Sequence, residues 1–125
     1  MISPDVIRSR VTDYLSAVAG GRTADITALY ARGATVEDPV GSEARQGLAA
    51  IEQFYGALQG ADCDTELLRL RVAGDTAAFH FRVTTRTPDQ TITVEPIDVM
   101  TFDDDGKITS MRAVWSPDDL TVEPR

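Results

Sequence analysis

Ala77-Ala78-Phe79-His80-Phe81-Arg82-Val83 decides the architecture. Ala77, Phe79, Phe81 and Val83 alternate with the other three residues, the period-two pattern of a strand with one face buried. Upstream, residues 66–72 predict a partner strand, and Gly74-Asp75 supplies the turn between them. Downstream, Thr87-Pro88-Asp89 is a turn. Residues 92–102 then predict a third long strand, and Asp103-Asp104-Asp105-Gly106 makes a hairpin turn. Residues 108–115 complete the run, with Met111, Ala113 and Trp115 on one face. The tail beyond Pro117 is polar and is expected to be loose.

Before residue 60 the period is different. Ser3-Pro4 reads as an N-cap and first helical position. Ile7, Val11, Tyr14, Leu15 and Val18 then recur at helical spacing until Gly20-Gly21. Thr23 is expected to cap a short second helix carrying Ile26, Leu29 and Tyr30. Thr35-Val36-Glu37 predicts a short strand stopped by Asp38-Pro39. Leu48, Ile51, Phe54, Tyr55 and Leu58 share one face of a third helix that starts after Gly47. Helices first and antiparallel strands after them define an α+β chain, read as a single domain over residues 1–125. A long sheet curled around its helices leaves room for a closed-end apolar pocket.

The charge excludes several functions. A net charge of -8 repels phosphate backbones and anionic membrane surfaces, so neither nucleic acid nor membrane is an expected partner. No stretch approaches the roughly 20 apolar residues of a membrane span, and Met1-Ile2-Ser3-Pro4 does not open a signal peptide. Cys63 is the single cysteine and His80 the single histidine. An internal disulfide is therefore impossible, a zinc site is not expected, and a cytoplasmic location suits the chain.

Two carboxylates stand out. Asp38 sits at a predicted strand end, directly before Pro39, where a turn aspartate is also common. Asp98 lies inside the apolar run Pro96-Ile97-Asp98-Val99-Met100. By parity it shares a face with Val94, Pro96 and Met100, so it is expected to point inward. A carboxyl buried without a cation stays protonated and can donate a hydrogen bond. Tyr14, Tyr30 and Tyr55 are the only tyrosines, each on the inward face of a predicted helix. Residue spacing alone gives an apolar cavity with acidic and phenolic groups.

Larger blocks add a resemblance. Tyr30-Ala31, Ala34-Thr35-Val36-Glu37-Asp38-Pro39, Gly47, Phe54-Tyr55, Ile97-Asp98-Val99-Met100, Phe102, Gly106, Met111, Ala113 and Trp115-Ser116 occur in order and at near-constant spacing. In these blocks the chain resembles the bacterial Δ5-3-ketosteroid isomerases of the NTF2-like, or SnoaL-like, superfamily, from about Val6 to Leu120. The resemblance implies a cone of strongly curved antiparallel sheet packed on three helices. It also implies a homodimer, no cofactor and a steroid or similar hydrophobic ketone as substrate. Carried over residue by residue, it makes Asp38 the proton-shuttling base and Tyr14 with Asp98 the oxyanion-hole donors. Tyr55 and Tyr30 become a hydrogen-bonded chain behind Tyr14, and Trp115 supports the base. Val40, Phe54, Phe79, Phe81, Val83 and Met111 become substrate contacts. Departures include Val40 in place of a bulkier residue, Glu43-Ala44-Arg45 in place of an apolar stretch, and Pro96 two residues before Asp98.

The same superfamily offers other readings: a non-catalytic steroid or lipid carrier, an epoxide hydrolase or polyketide cyclase, and an interaction module of the nuclear-transport type. A hydrolase of that kind pairs its acid and base through a buried arginine. Parity puts Arg82 and Arg112 on the faces opposite Phe81 and Met111.

Overall fold

The computed structural model describes residues 2–125. Helix α1 (Pro4–Gly20) starts as its sequence predicts: the Ser3 hydroxyl accepts from the Val6 N–H, and Pro4 holds the first turn. Its buried stripe is Ile7, Val11, Tyr14, Leu15 and Val18. Gly21 ends it with φ 67°, and a Cβ there would stand 3.0 Å from the Ala61 carbonyl oxygen. Only glycine fits both the left-handed backbone and that approach. Helix α2 (Thr23–Thr27) and helix α3 (Leu48–Tyr55) follow, the latter continued by a 3-10 turn at Gly56–Leu58. Thr23 does not cap α2. It is the first helical residue, and its hydroxyl donates to the Tyr55 carbonyl oxygen, tying α2 to α3.

The strands are β1 (Tyr30–Glu37), β2 (Arg45–Gln46), β3 (Asp62–Ala73), β4 (Thr76–Arg86), β5 (Gln90–Val94), β6 (Ile97–Phe102), β7 (Ile108–Val114) and β8 (Leu120–Pro124). They form one curved, unclosed sheet in the order β2-β1-β7-β6-β4-β5-β8, with β3 on the other edge of β4. Tyr30, expected on α2, instead opens β1, and Leu29 lies beyond the end of that helix; three further expectations need correction. The sheet is mixed, because β1 runs parallel to β7. The tail is ordered: a 3-10 turn at Pro117–Asp119, capped by Ser116, leads into β8, which pairs along β5. The predicted strand over residues 92–102 is two strands, broken at Glu95-Pro96.

That break positions the site. Strands β6 and β5 lie end to end along the same edge of β4, β6 beside residues 76–80 and β5 beside residues 83–86. Proline has no N–H for the ladder, so the edge is interrupted where it stands. Its carbonyl still accepts from Phe81 N–H, at 3.3 Å. Beyond the break the sheet divides into a β6-β7-β1 wing and a β5-β8 wing. The helices pack into the concave face, with α1 against β3 and β4.

Candidate active site

Between the helices and the divided sheet lies a mainly apolar cavity of about 270 Å³. Helix α1 contributes Tyr14 and Val18, and α3 with its 3-10 turn contributes Phe54, Tyr55, Ala57 and Leu58. From β4 come Phe81, Val83 and Thr85; around the sheet break come Val94, Pro96 and Asp98. Asp38, at the end of β1, and Trp115, at the end of β7, complete the wall.

The two carboxylates meet in this one cavity in different surroundings. Asp38 is half-buried. Its Oδ1 accepts from the Trp115 indole N–H at 2.6 Å. Burial pushes its pKa up, while the Trp115 bond and the nearby Arg45 charge pull it down; the net direction is up. Asp98 is 1% exposed, and its Oδ1 has no hydrogen-bond partner. Burial, and then the charge of Asp38, push its pKa far above the usual carboxylate range. Both effects favour the neutral acid at Asp98, the form whose O–H can donate.

Tyr14 packs edge-on against Phe79 and Tyr55, ring centroids 6.3 Å away in each case. Its hydroxyl lies 2.9 Å from that of Tyr55, which lies 2.7 Å from that of Tyr30. Burial keeps all three phenols neutral by raising their pKa values. Each hydroxyl has one proton to donate. If Tyr30 donates to Tyr55 and Tyr55 to Tyr14, the Tyr14 proton is left for the cavity. Such chains polarise cooperatively.

Asp98 contributes to stability with a definite sign. Its carboxyl is neutral when folded and ionised when unfolded at neutral pH, so the unfolded chain gains by releasing the proton. This stabilisation is complete below the unfolded pKa and is lost as pH rises towards the raised folded value. Asp98→Asn removes the titration. Its stability relative to the natural protein, read as the urea midpoint, should therefore be higher at pH 8 than at pH 5. An equal change at both values would reject the assignment.

The cavity gathers Tyr14, Asp38, Phe54, Tyr55, Phe81, Val83, Asp98 and Trp115, and places Tyr30 directly behind Tyr55. It does not gather three expected contacts. Phe79 and Met111 are core residues, 1% and 0% exposed, behind the wall rather than on it. Val40 is exposed on the turn after Pro39. Val18, Ala57, Leu58, Thr85, Val94 and Pro96 are wall residues not anticipated. Val18 belonged to the α1 stripe, and Thr85 continues the alternation of Phe81 and Val83. Val94 and Pro96 share Asp98's parity. Leu58 belonged to the α3 stripe, and Ala57 lies beside it in the 3-10 turn that continues that helix. Among the described residues no group of three or more His, Cys, Asp or Glu side chains could hold a metal ion.

Arg45 is a further charged neighbour. Its guanidinium carbon stands 4.6 Å over the Phe54 ring, and its Nη1 donates to the Glu43 carbonyl oxygen. Arg82 and Arg112 lie on the outer face, Arg82 bound to Glu66 and Glu95 and Arg112 to Glu37. Among the described residues, no arginine lines the cavity.

Known proteins share this fold and much of this sequence. A SnoaL-like domain model matches residues 11–111. A protein of Nocardioides simplex named steroid Delta-isomerase is 60% identical over 118 residues, covering 94% of this chain and 96% of that protein. The solved structure of SalBIII, an epoxide hydrolase/cyclase-like enzyme of pyran ring formation in the polyether salinomycin, superimposes with a TM-score of 0.89. It is 27% identical, over 98% of this chain and 99% of that one. The fold, the matched residues and the near-full-length identity together make this chain a member of the SnoaL-like family.

Proposed function

We infer that this protein is an enzyme, a steroid Δ-isomerase, and propose that it moves a carbon–carbon double bond into conjugation with a steroid ketone through Asp38, Tyr14 and Asp98. The observation that carries the assignment of roles is the meeting of a half-buried carboxylate and a fully buried one, the latter with an unpartnered oxygen, in one apolar cavity.

The substrate is a 3-ketosteroid whose double bond is β,γ to the carbonyl. Asp38, ionised, takes the proton from the carbon between the two groups. The C–H electrons move towards the carbonyl and leave a dienolate. Asp38 then returns the same proton to the γ carbon, giving the conjugated enone, with no net gain or loss of atoms or electrons. An aspartate is a weak base for such a carbon acid, so the dienolate oxygen must be stabilised. Tyr14 O–H and the neutral Asp98 O–H are the donors for it. The apolar wall keeps water away and strengthens both bonds. Trp115 holds Asp38 at the end of β1 without neutralising it.

Purified protein mixed with such a steroid should generate the ultraviolet band of the conjugated enone at a rate proportional to enzyme. Binding with no such band would favour a carrier. The absence of an arginine from the wall disfavours hydrolase chemistry through a buried arginine. The same reading makes the protein a cytoplasmic homodimer; Ile97 and Val114, paired across β6 and β7 and exposed, support a contact on the outer face.

Arg45 then bears on pH dependence. Asp38 works only when ionised, so activity falls as pH drops through its pKa. Arg45→Gln removes a charge that lowers that pKa. The acid limb of kcat/KM should therefore move to higher pH, and Arg45→Lys should restore it. A limb that stays in place in the glutamine variant would exclude the effect.

A further inference from the structure

The cavity has two ends of different character. At one end stand Tyr14, Asp38, Tyr55 and Asp98, with the Trp115 N–H committed to Asp38. Among the described wall residues only one other side chain is polar, that of Thr85. It lies far along β4. Phe79 is the cross-strand partner of Asp98, and Thr85 stands six positions further on the same face, opposite Ile92 and Cys63. At about 3.3 Å per residue that separation is roughly 20 Å along the strand, and less across the concave side of a bent sheet. Allowing about 2.7 Å for a hydrogen bond at each end, a molecule of roughly 15 Å or somewhat less would bridge them. A fused four-ring nucleus with an oxygen at each extremity is a few ångström shorter than that upper bound, and the bend of the sheet brings the two ends closer by shortening the straight-strand span.

The Thr85 hydroxyl is available for the task. Its one hydrogen bond is to Cys63 Sγ at 3.9 Å, and a thiol sulfur is a weak acceptor. Exchanging that bond for a ketone oxygen costs little. A steroid hydroxyl is accommodated too, since Thr85 can accept from it while still facing the sulfur. The neighbouring wall, Val83, Val94 and Leu58, offers no competing side-chain donor.

We propose that Thr85 is a specificity-determining residue that reads an oxygen substituent on the ring of the substrate remote from the reacting ketone. This rests on the isomerase reading, and it narrows the substrate class to steroids oxygenated at both ends.

The test uses two β,γ-unsaturated 3-ketosteroids, identical except that one carries a ketone on the distal ring and the other carries hydrogen. The readout is the ratio of their kcat/KM values, oxygenated over deoxygenated. A net hydrogen bond makes this ratio about five- to tenfold in the natural protein, expressed in KM rather than kcat. In Thr85→Val, equal in shape but lacking the hydroxyl, the ratio should fall to near one; Thr85→Ser should retain most of it. An unchanged ratio in the valine variant overturns the proposal. If neither steroid is turned over, the isomerase reading fails, yet Thr85 can still be judged. Trp115, the only tryptophan, lines the cavity, and its quenching reports binding of the two corresponding enones. Equal affinity of the natural protein for both enones would overturn the role of Thr85 independently of catalysis.

Discussion

Asp38→Asn is expected to lower kcat by about 10²–10⁴-fold, the range a positioned general base contributes, while binding of the enone product changes little. The asparagine keeps the volume of the side chain and a carbonyl oxygen for the Trp115 N–H, so the wall and the indole have no reason to move. What it loses is the lone pair that takes the proton from carbon. The loss should therefore lie in kcat, with the acid limb of the pH profile abolished along with the rate. Titration of Trp115 fluorescence with the enone separates binding from turnover. Turnover within a few-fold of the natural enzyme would remove Asp38 as the base.

The second large effect belongs to Tyr14 and Asp98, the donors proposed for the developing oxyanion. Tyr14→Phe and Asp98→Ala should each lower kcat by about 10²–10³-fold, as loss of one preorganised donor does elsewhere. The chemistry of Asp98 allows a sharper comparison. If its contribution is a donated hydrogen bond, Asp98→Asn retains an N–H donor in the same place and should keep distinctly more activity than Asp98→Ala. If its contribution were a negative charge, asparagine and alanine would be equally poor. The combined Tyr14→Phe, Asp98→Ala enzyme should lose less than the product of the single losses, because both donors act on one oxygen. Near-normal rates in both single variants would reject this oxyanion hole.

Much of this site was legible before any coordinates, but unevenly. Asp98 could be placed by parity, since a strand has only two faces and its neighbours Pro96 and Met100 were apolar. Both are buried. Helix α1 was legible because five apolar residues repeat at one spacing and proline and glycine punctuate its ends. Strand β8 was not. Its side chains are almost all exposed, so no alternation announces it, and it is held by its ladder to β5. The early part of β1 was hidden likewise: exposed Arg32 and Gly33 interrupt the pattern between buried Tyr30 and Ala34. The apolar wall was legible only as a set of candidates. Phe79 and Phe81 have the same parity and the same chemistry, yet Phe81 lines the cavity while Phe79 is sealed beneath Tyr14. Depth within a core depends on how helices settle onto a curved sheet, and one strand's pattern carries no record of that.

The parallel pairing of β1 with β7 brings Val36 beside Met111, and with it delivers Asp38 to Trp115. Residues from the first third of the polypeptide thus reach the cavity only beside residues from its last quarter. No fragment lacking either part can hold a complete set of catalytic groups. During refolding, helical signal from α1 should return early, because its contacts are local in sequence. On the proposed assignment, enzymatic competence must wait for this pairing, which closes a loop of more than seventy residues and so carries a large entropic penalty.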